Sequence, residues 1–331
     1  MNGFSGQARR ARNWVWASIA LLSCMLGAPA AGAEYPDHII NGVIPFGTGG
    51  PSDVISRIVA TAMSRELGKN IVMLNKPGAG GNTGIAMVTS SKPDGYTLLY
   101  CSIATTQNPA TYKTLPYDPL KDLMAVAILA ESPNLVAVSA ANIQAKTLRE
   151  FMDLVKKNPG KYHLGGAGGQ RMTMEQFMMQ LGLKMEIINY KSAADAATAM
   201  MSGEIDAQLN NVPTLGAGVR SGRIRLLAVT SVNRLKAFPE VPTTPELGFP
   251  EYVDSSYIGL YAPVGMPAEI VSKLHSAAMR ALASPEVLQR FNDLDFVPSK
   301  LTQPQADAFY RSEIARWKEV VRKANIPLVE D

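Results

Sequence analysis

His38-Ile39-Ile40-Asn41-Gly42-Val43-Ile44-Pro45-Phe46-Gly47-Thr48-Gly49-Gly50-Pro51-Ser52-Asp53 holds an apolar run, a glycine-rich turn and the start of a helical pattern. The run reads as a strand over 38–45, and the segment beyond the turn reads as a helix over about 53–67. Outward from this unit the rhythm repeats, with strands at 70–74 and 96–101 around a helix at 84–91. It resumes with strands at 135–138, 162–164, 185–189, 207–210 and 224–230, and helices at 147–157, 172–181 and 193–201. A late strand at 256–262 and helices at 267–283 and 303–323 close the chain. In the last helix Phe309, Ile314, Trp317 and Val321 recur at near-helical spacing, which predicts a core-facing stripe. Strands alternating with helices predict an α/β fold of parallel sheet covered on both faces.

No long linker separates two contiguous halves. Proline-rich loops fall instead at Leu115-Pro116-Tyr117-Asp118-Pro119 and over 239–250, near one third and three quarters of the chain. This predicts a discontinuous first domain, 34–133 plus 256–331, enclosing a second domain at 134–255. The two strands that cross between them would act as a hinge.

The chain has 331 residues, 47% of them hydrophobic and 18% charged, with a formal charge of +4. That length suits two domains, each able to bury a core. Arg9, Arg10 and Arg12 precede an apolar stretch from Trp14 to Leu26, and Ala31-Gly32-Ala33 supplies a small-x-small cleavage pattern. Residues 1–33 therefore read as a secretory signal peptide cut after Ala33, with export to the periplasm. Leu22-Ser23-Cys24 is a partial lipoprotein-type site, so lipidation of Cys24 is the alternative to its removal. Taking three arginines from the 32 basic residues leaves 29 against 28 acidic ones. A net charge of about +1 offers no electrostatic footprint for nucleic acid. No other stretch is long and apolar enough to span a membrane. Cys101 then remains alone and follows an apolar run, which predicts a buried small hydrophobe.

Four segments share one design, in which a strand ends, small residues turn the chain and a helix begins. They are 45–53, Asn75-Lys76-Pro77-Gly78-Ala79-Gly80-Gly81-Asn82-Thr83-Gly84, Gly165-Gly166-Ala167-Gly168-Gly169-Gln170-Arg171, and Asn210-Asn211-Val212-Pro213-Thr214. Glycines let backbone N–H groups point into a cavity, and a helix N-terminus adds about half a positive charge. Such turns suit a carboxylate or phosphate, and in open α/β sheets ligands bind at the carboxyl ends of strands. Each turn alone is also ordinary loop geometry. Gly47-x-Gly49-x-x-Ser52 is an imperfect dinucleotide fingerprint, and no lysine completes a P-loop. His38, His163 and His275 have no cysteine or carboxylate at ligand spacing, so neither metal nor cofactor is expected. No Gly-x-Ser-x-Gly elbow marks a hydrolase, and no catalytic residue is assigned.

Tyr35-Pro36, the 43–53 turn and Asn75-Lys76-Pro77-Gly78-Ala79-Gly80-Gly81-Asn82 stand in one order with Pro93-Asp94-Gly95-Tyr96-Thr97-Leu98-Leu99 and Leu115-Pro116-Tyr117-Asp118-Pro119. Tyr190-Lys191, Gly203-Glu204-Ile205-Asp206, 226–231 and Val241-Pro242-Thr243 come after them. Together they resemble the periplasmic solute-binding proteins of tripartite tricarboxylate transporters, the Bug family, over essentially the whole exported chain. The resemblance implies a type II periplasmic-binding-protein fold, in which two α/β domains joined by two crossing strands trap a small organic carboxylate in the cleft between them. It also implies a monomer that delivers its ligand to a membrane permease. A periplasmic sensing subunit for a membrane kinase is the alternative on the same fold.

By position, the resemblance assigns one carboxylate to Phe46, Thr48, Gly49 and Asp53 of the first turn and to Ala79, Gly80 and Asn82 of the second. Ser102 and Thr106 match polar positions facing the cleft. Ala167, Gly168, Gly169, Gln170, Arg171, Tyr190 and Asn211 would read the rest of the ligand. Asp53 would repel an anion, so capping or orienting its loop is the expected role. The family's usual Ser-Ala-Gly-x-Gly-Ser is replaced here at 165–171, losing hydroxyls and gaining Gln170 and Arg171. Arginine pairs with carboxylates bidentately, which predicts a dicarboxylate held by Arg171; a solvated residue at the helix start is the alternative. Asn189 and Ser192 replace the usual proline and glycine around Tyr190-Lys191. Met172, Met174, Met178, Met179 and Met185 read as adaptable core, or else as a pocket wall for an aromatic or long aliphatic acid.

Overall fold

The computed structural model describes residues 35–49, 51–167, 170–190 and 193–330. The leader read over 1–33 lies outside them, as do Gly168 and Gly169 of the third turn. β1 (Ile40–Ile44) leads through the first glycine turn into α1 (Pro51–Leu67) and β2 (Ile71–Asn75). A 3-10 turn (Ala79–Gly81), α2 (Asn82–Thr89) and β3 (Thr97–Cys101) continue the chain. β1 pairs in parallel with both β2 and β3, setting Val43 opposite Leu74 on one side and Leu99 on the other. Next come α3 (Ala104–Thr111) and the long strand β4 (Leu123–Pro133).

One residue later the chain enters a second sheet through β5 (Leu135–Ser139), followed by α4 (Leu148–Lys157), β6 (His163–Ala167) and α5 (Arg171–Leu181). β7 (Glu186–Tyr190), α6 (Ala193–Ser202), β8 (Ala207–Asn210), α7 (Val212–Arg220) and β9 (Ile224–Val229) complete it. The chain then returns to the first sheet in β10 (Ser255–Pro263) and continues through α8 (Ala268–Ala283), α9 (Pro285–Asp293), β11 (Val297–Pro298) and α10 (Gln303–Ala324). The strand orders are β11-β4-β10-β3-β1-β2 and β7-β6-β8-β5-β9. From His38 onward all of this is one compact unit.

The sheets are mixed, which corrects the parallel expectation. β10 lies antiparallel between β3 and β4, and β5 lies antiparallel to both β8 and β9. The reason is the crossover: a strand that leaves one sheet for the other, or returns from it, does not take the right-handed βαβ path. The sequence reading also lacks β4, α3 and α9, and gives α7 only as a helix start after the 210–214 turn. Leu123–Pro133 is almost wholly buried and so shows no alternation, while α3 contains Pro109 and three threonines.

Local signals explain the helices that were read. The Thr147 side chain caps α4 by accepting from the Glu150 N–H at 3.2 Å, and Leu148, Phe151, Met152 and Val155 form its buried stripe. Thr302 and Gln305 close a capping box on α10, whose Ile314, Trp317 and Val321 are buried and whose Phe309 packs on the core. One core cluster joins Val43, Leu99, Ile128, Tyr257, Tyr261 and Tyr310, a second joins Val136, Phe151, Leu164, Phe177 and Leu209, and a third, on the opposite face of the second sheet, joins Leu135, Ala137, Met200 and Leu215. Met174 and Met185 are buried in the second core, with Met178 packed against it. Cys101 is buried in the first, where burial pushes its thiol up to about 12. It packs as a small hydrophobe.

The crossing points are tied together by backbone and side chain. Asn134 comes after β4, Thr230 after β9, and Asp254 precedes β10. The Asn134 amide donates to the Asp254 carboxylate at 2.7 Å, and the Thr230 N–H donates to the Asn134 carbonyl at 2.9 Å. The Asp254 N–H donates to the Thr230 carbonyl at 2.9 Å. Arg316 of α10 lies beside this knot, 3.6 Å from Asp254. It donates twice to Glu313 at 2.7 Å and once to Gln176 of α5 at 2.7 Å, so one guanidinium touches elements of both sheets.

Candidate functional site

A cleft of about 660 Å³ opens where helices from both sheets begin. Ser52 of α1, Gly80 before α2, Gln170 and Arg171 at the start of α5, and Asn211 before α7 all line it. Ile103 and Ala104 at the start of α3 line it too, so among the described residues five helix N-termini with their positive ends border one space. Among the described lining residues Arg171 carries the only full charge, and there is no histidine, cysteine or acidic side chain. No group of three or more His, Cys, Asp or Glu that could hold a metal occurs among the described residues.

The first turn is built around a buried carboxylate. Asp53 is 5% exposed; it accepts from the Gly49 N–H at 3.0 Å, Arg57 Nε at 3.0 Å and Asn75 Nδ2 at 2.9 Å. Burial alone would push this carboxyl up, but the hydrogen bonds from Arg57, Asn75 and Gly49 outweigh it and hold it down at about 2. Asn75 also donates to the Phe46 carbonyl at 2.9 Å and accepts from Arg57 Nη2 at 2.6 Å. Gly49 stands at φ +85° with open space around it, so its backbone angle is what favours glycine. Phe46 lines the cleft. Thr48 and Gly49 are exposed beside it, and the Asp53 side chain is engaged behind the turn.

In the second turn Gly78, Ala79, Gly80 and Gly81 all have positive φ. A Cβ on Gly84 would stand 2.8 Å from Pro45 Cα and 2.9 Å from the Lys76 carbonyl oxygen, so α2 is seated directly on the first turn. Asn82 is buried; its Oδ1 accepts from Asn108 Nδ2 at 2.7 Å and from the Tyr117 hydroxyl at 2.8 Å. Asn108 Nδ2 also donates to the Gly80 carbonyl at 3.1 Å. Gly80 faces the cleft with exposed Ala79 beside it, while Asn82 is a strut between this turn and α3.

Ser102 lines the cleft, but Thr106 is fully buried, its hydroxyl shared with the Tyr257 hydroxyl at 2.6 Å and bonded to the Ile103 carbonyl at 2.9 Å. This corrects the expectation for Thr106, and the cause is the helix that the sequence reading lacks. On α3 the residues toward the cleft are Ala104, Gln107, Asn108 and Thr111, spaced by three and four, while Thr106 turns toward β10. A helical reading of 104–111 would have found Gln107, Asn108 and Thr111.

In the second lobe, Ala167 ends β6 and Gln170 Nε2 donates to the Leu209 carbonyl at 3.2 Å. The Arg171 side chain is 46% exposed and stands 3.4 Å from Glu175, within reach of a ligand and already beside a carboxylate. Asn211 Oδ1 accepts from the Thr214 hydroxyl at 3.1 Å. Tyr190 is absent from the described lining; its hydroxyl donates to Glu204 at 2.7 Å, and burial together with that carboxylate pushes the phenol up to about 12. Met172 is both buried core and cleft wall, and Ser256 of β10 contributes from the crossing segment. A last wall is unforeseen in the sequence reading: Ile326, Pro327 and Val329, just past α10.

Residues 55–326 match the tripartite tricarboxylate transporter family receptor. BugT of Bordetella pertussis is 32% identical over 315 residues, covering 94% of this chain and 96% of its own. Among solved structures, MatC of Rhodopseudomonas palustris with bound malate is 28% identical at a TM-score of 0.71, covering 87% of this chain and all of its own. An R. palustris protein with adipate is 26% identical at a TM-score of 0.74, covering 89% and 100%. The two-lobed mixed α/β architecture is that of periplasmic binding proteins. The chain belongs to the tripartite tricarboxylate transporter receptor family, the Bug solute-binding proteins.

Proposed function

We propose that this protein captures a small organic dicarboxylate in the periplasm and presents it to a membrane permease. The carrying observation is the cleft itself, bordered by five helix starts with Arg171 as its one full charge among the described lining residues. Backbone amides of the Phe46–Gly49 and Ala79–Gly80 turns, with Ser102, take one carboxylate. Gln170, Arg171 and Asn211 take the other end. Asp53 and Asn82 hold these turns in shape through their hydrogen bonds, and the reading assigns no catalytic step. Malate and adipate, bound by two relatives, are both dicarboxylates.

The moving bodies in this reading are 34–133 with 256–331, and 134–255, hinged at the Asn134–Thr230–Asp254 knot. The anion contacts both, so it stabilises the closed arrangement by its differential contacts. The reading places the chain in the periplasm after removal of residues 1–33, acting as a monomer. Among the described residues no helix is long and apolar enough to cross a membrane. A thermal-shift panel of mono-, di- and tricarboxylates tests the claim. A ligand at a hundred times its dissociation constant should raise stability by about 2.7 kcal/mol. If no carboxylate shifts the melting temperature, the reading fails.

A further inference from the structure

We propose that the C-terminal strap Ile326–Glu330 sets ligand specificity, supplying an apolar wall that favours carboxylates with a long aliphatic or aromatic body over short polar ones. This rests on the carboxylate reading and deepens it. The strap is built in rather than loosely trailing. Asn325 turns the chain out of α10 at φ +49°, and the Ile326 N–H still donates to the Val321 carbonyl at 3.1 Å. The Val329 N–H then donates to the Thr111 carbonyl at 2.7 Å, and the Lys113 N–H donates to the Val329 carbonyl at 3.1 Å. Val329 thus forms a parallel bridge with Tyr112, and Lys113 pairs with Glu330 just beyond it.

Two consequences bear on the ligand. Tyr112 is held over the second turn: a Cβ on Gly80 would lie 2.4 Å from its hydroxyl oxygen, so the phenol rests on the backbone proposed to bind a carboxylate. Ile326 packs with Met179 against a cluster that joins Trp317 and Val321 of α10 to Met172 of α5, which places the strap where elements of both sheets meet. Leu328 and Val329 remain 43% and 46% exposed, and Ile326, Pro327 and Val329 line the cleft. With Phe46, Tyr112 and Met172 they give one space an apolar lining beside its helix starts. Apolar area left in water beside an anion site is recovered only by a ligand with an apolar body.

Two variants test this by calorimetric titration with succinate, malate, suberate and terephthalate. One ends at Asn325. The other is the full chain with Ile326→Ser and Val329→Ser, which keeps the strap's backbone hydrogen bonds should the shorter chain fold poorly. The unaltered protein should bind suberate or terephthalate at least about tenfold tighter than succinate or malate. In the serine variant that preference should fall to within about threefold, with succinate affinity little changed. An unaltered protein that prefers the short acids overturns the proposal. So does a preference retained in both variants, or an equal loss for all four acids in the serine variant. No binding of any acid to the unaltered protein would instead overturn the carboxylate reading on which the proposal stands.

Discussion

The turns at 46–53 and 78–84 differ from those at 165–171 and 210–212 in how much of their chemistry is already used. In the first lobe Asp53, Asn75, Asn82 and Asn108 bond to one another's segments, to Gly49 N–H and to the Phe46 and Gly80 carbonyls. Their side chains form a frame, and the residues of these two turns that line the cleft are Phe46, Ser52 and Gly80. In the second lobe side chains themselves face the cleft, with Arg171 half-exposed. A frame of this kind suits a group common to all ligands, because its geometry is fixed before binding. Arg171, half-exposed and held only by a 3.4 Å pairing with Glu175, suits discrimination.

Replacing Asp53 with alanine should break the contrast most. The Gly49 N–H and Asn75 Nδ2 would each lose an acceptor and Arg57 its carboxylate, so urea denaturation should show a loss of about 2–3 kcal/mol. Carboxylate affinity should fall at least about tenfold for every ligand, since the turn no longer has a fixed shape. A stability loss below about 0.5 kcal/mol would show that Asp53 frames nothing.

The same carboxylate sets a pH signature. Its folded value of about 2 lies below the ordinary 3.8, so its stabilisation is complete above about pH 4 and is lost as pH falls toward 2. Asp254, at the crossing, shifts the other way: burial raises it against the opposing effects of Arg316 and Asn134. Its contribution is present at low pH and lost as pH rises through its raised value. Melting temperatures of the unaltered chain and of Asp53→Asn should therefore converge below pH 4; a constant gap down to pH 2 would contradict the lowered value.

How far the sequence revealed this depended on which property it encodes. The βα repeats, the turns and the core stripe of α10 were legible because periodicity, glycine and capping residues are local. β4 was not, because a strand buried on both faces shows no alternation. α3 was hidden by Pro109 and its threonines, and with it went Gln107 and Asn108 as cleft residues and Thr106 as a buried one. The strap was hidden for another reason. Nothing in Ile326-Pro327-Leu328-Val329 predicts pairing with Thr111–Lys113, more than two hundred positions earlier.

Arg171→Ala should leave the frame intact and change selectivity alone. Half-exposed and beside Glu175, its side chain contributes little to folding, so stability should stay within about 0.5 kcal/mol. Dicarboxylate affinity should fall about tenfold while that of the matching monocarboxylate changes less than about twofold, read by calorimetric titration. Equal losses for both would remove Arg171 from ligand recognition and leave it as a helix-start residue paired with Glu175.

The smallest effect belongs to Tyr190. The family resemblance places it on the ligand, whereas its hydroxyl donates to Glu204 and its ring lies 3.4 Å from where a Cβ on Gly165 would stand. A phenol anchored to a carboxylate on its own lobe is not offered to an anion, and Glu204 would repel one. Tyr190→Phe keeps the ring packing and removes only one partly exposed hydrogen bond, so stability should fall by no more than about 1 kcal/mol. Affinity for both mono- and dicarboxylates should stay within about twofold. A tenfold loss would mean that the hydroxyl leaves Glu204 when ligand arrives. The second lobe would then carry, like the first, a polar group held ready for every ligand, and the contrast between the two sets of turns would narrow to Arg171 alone.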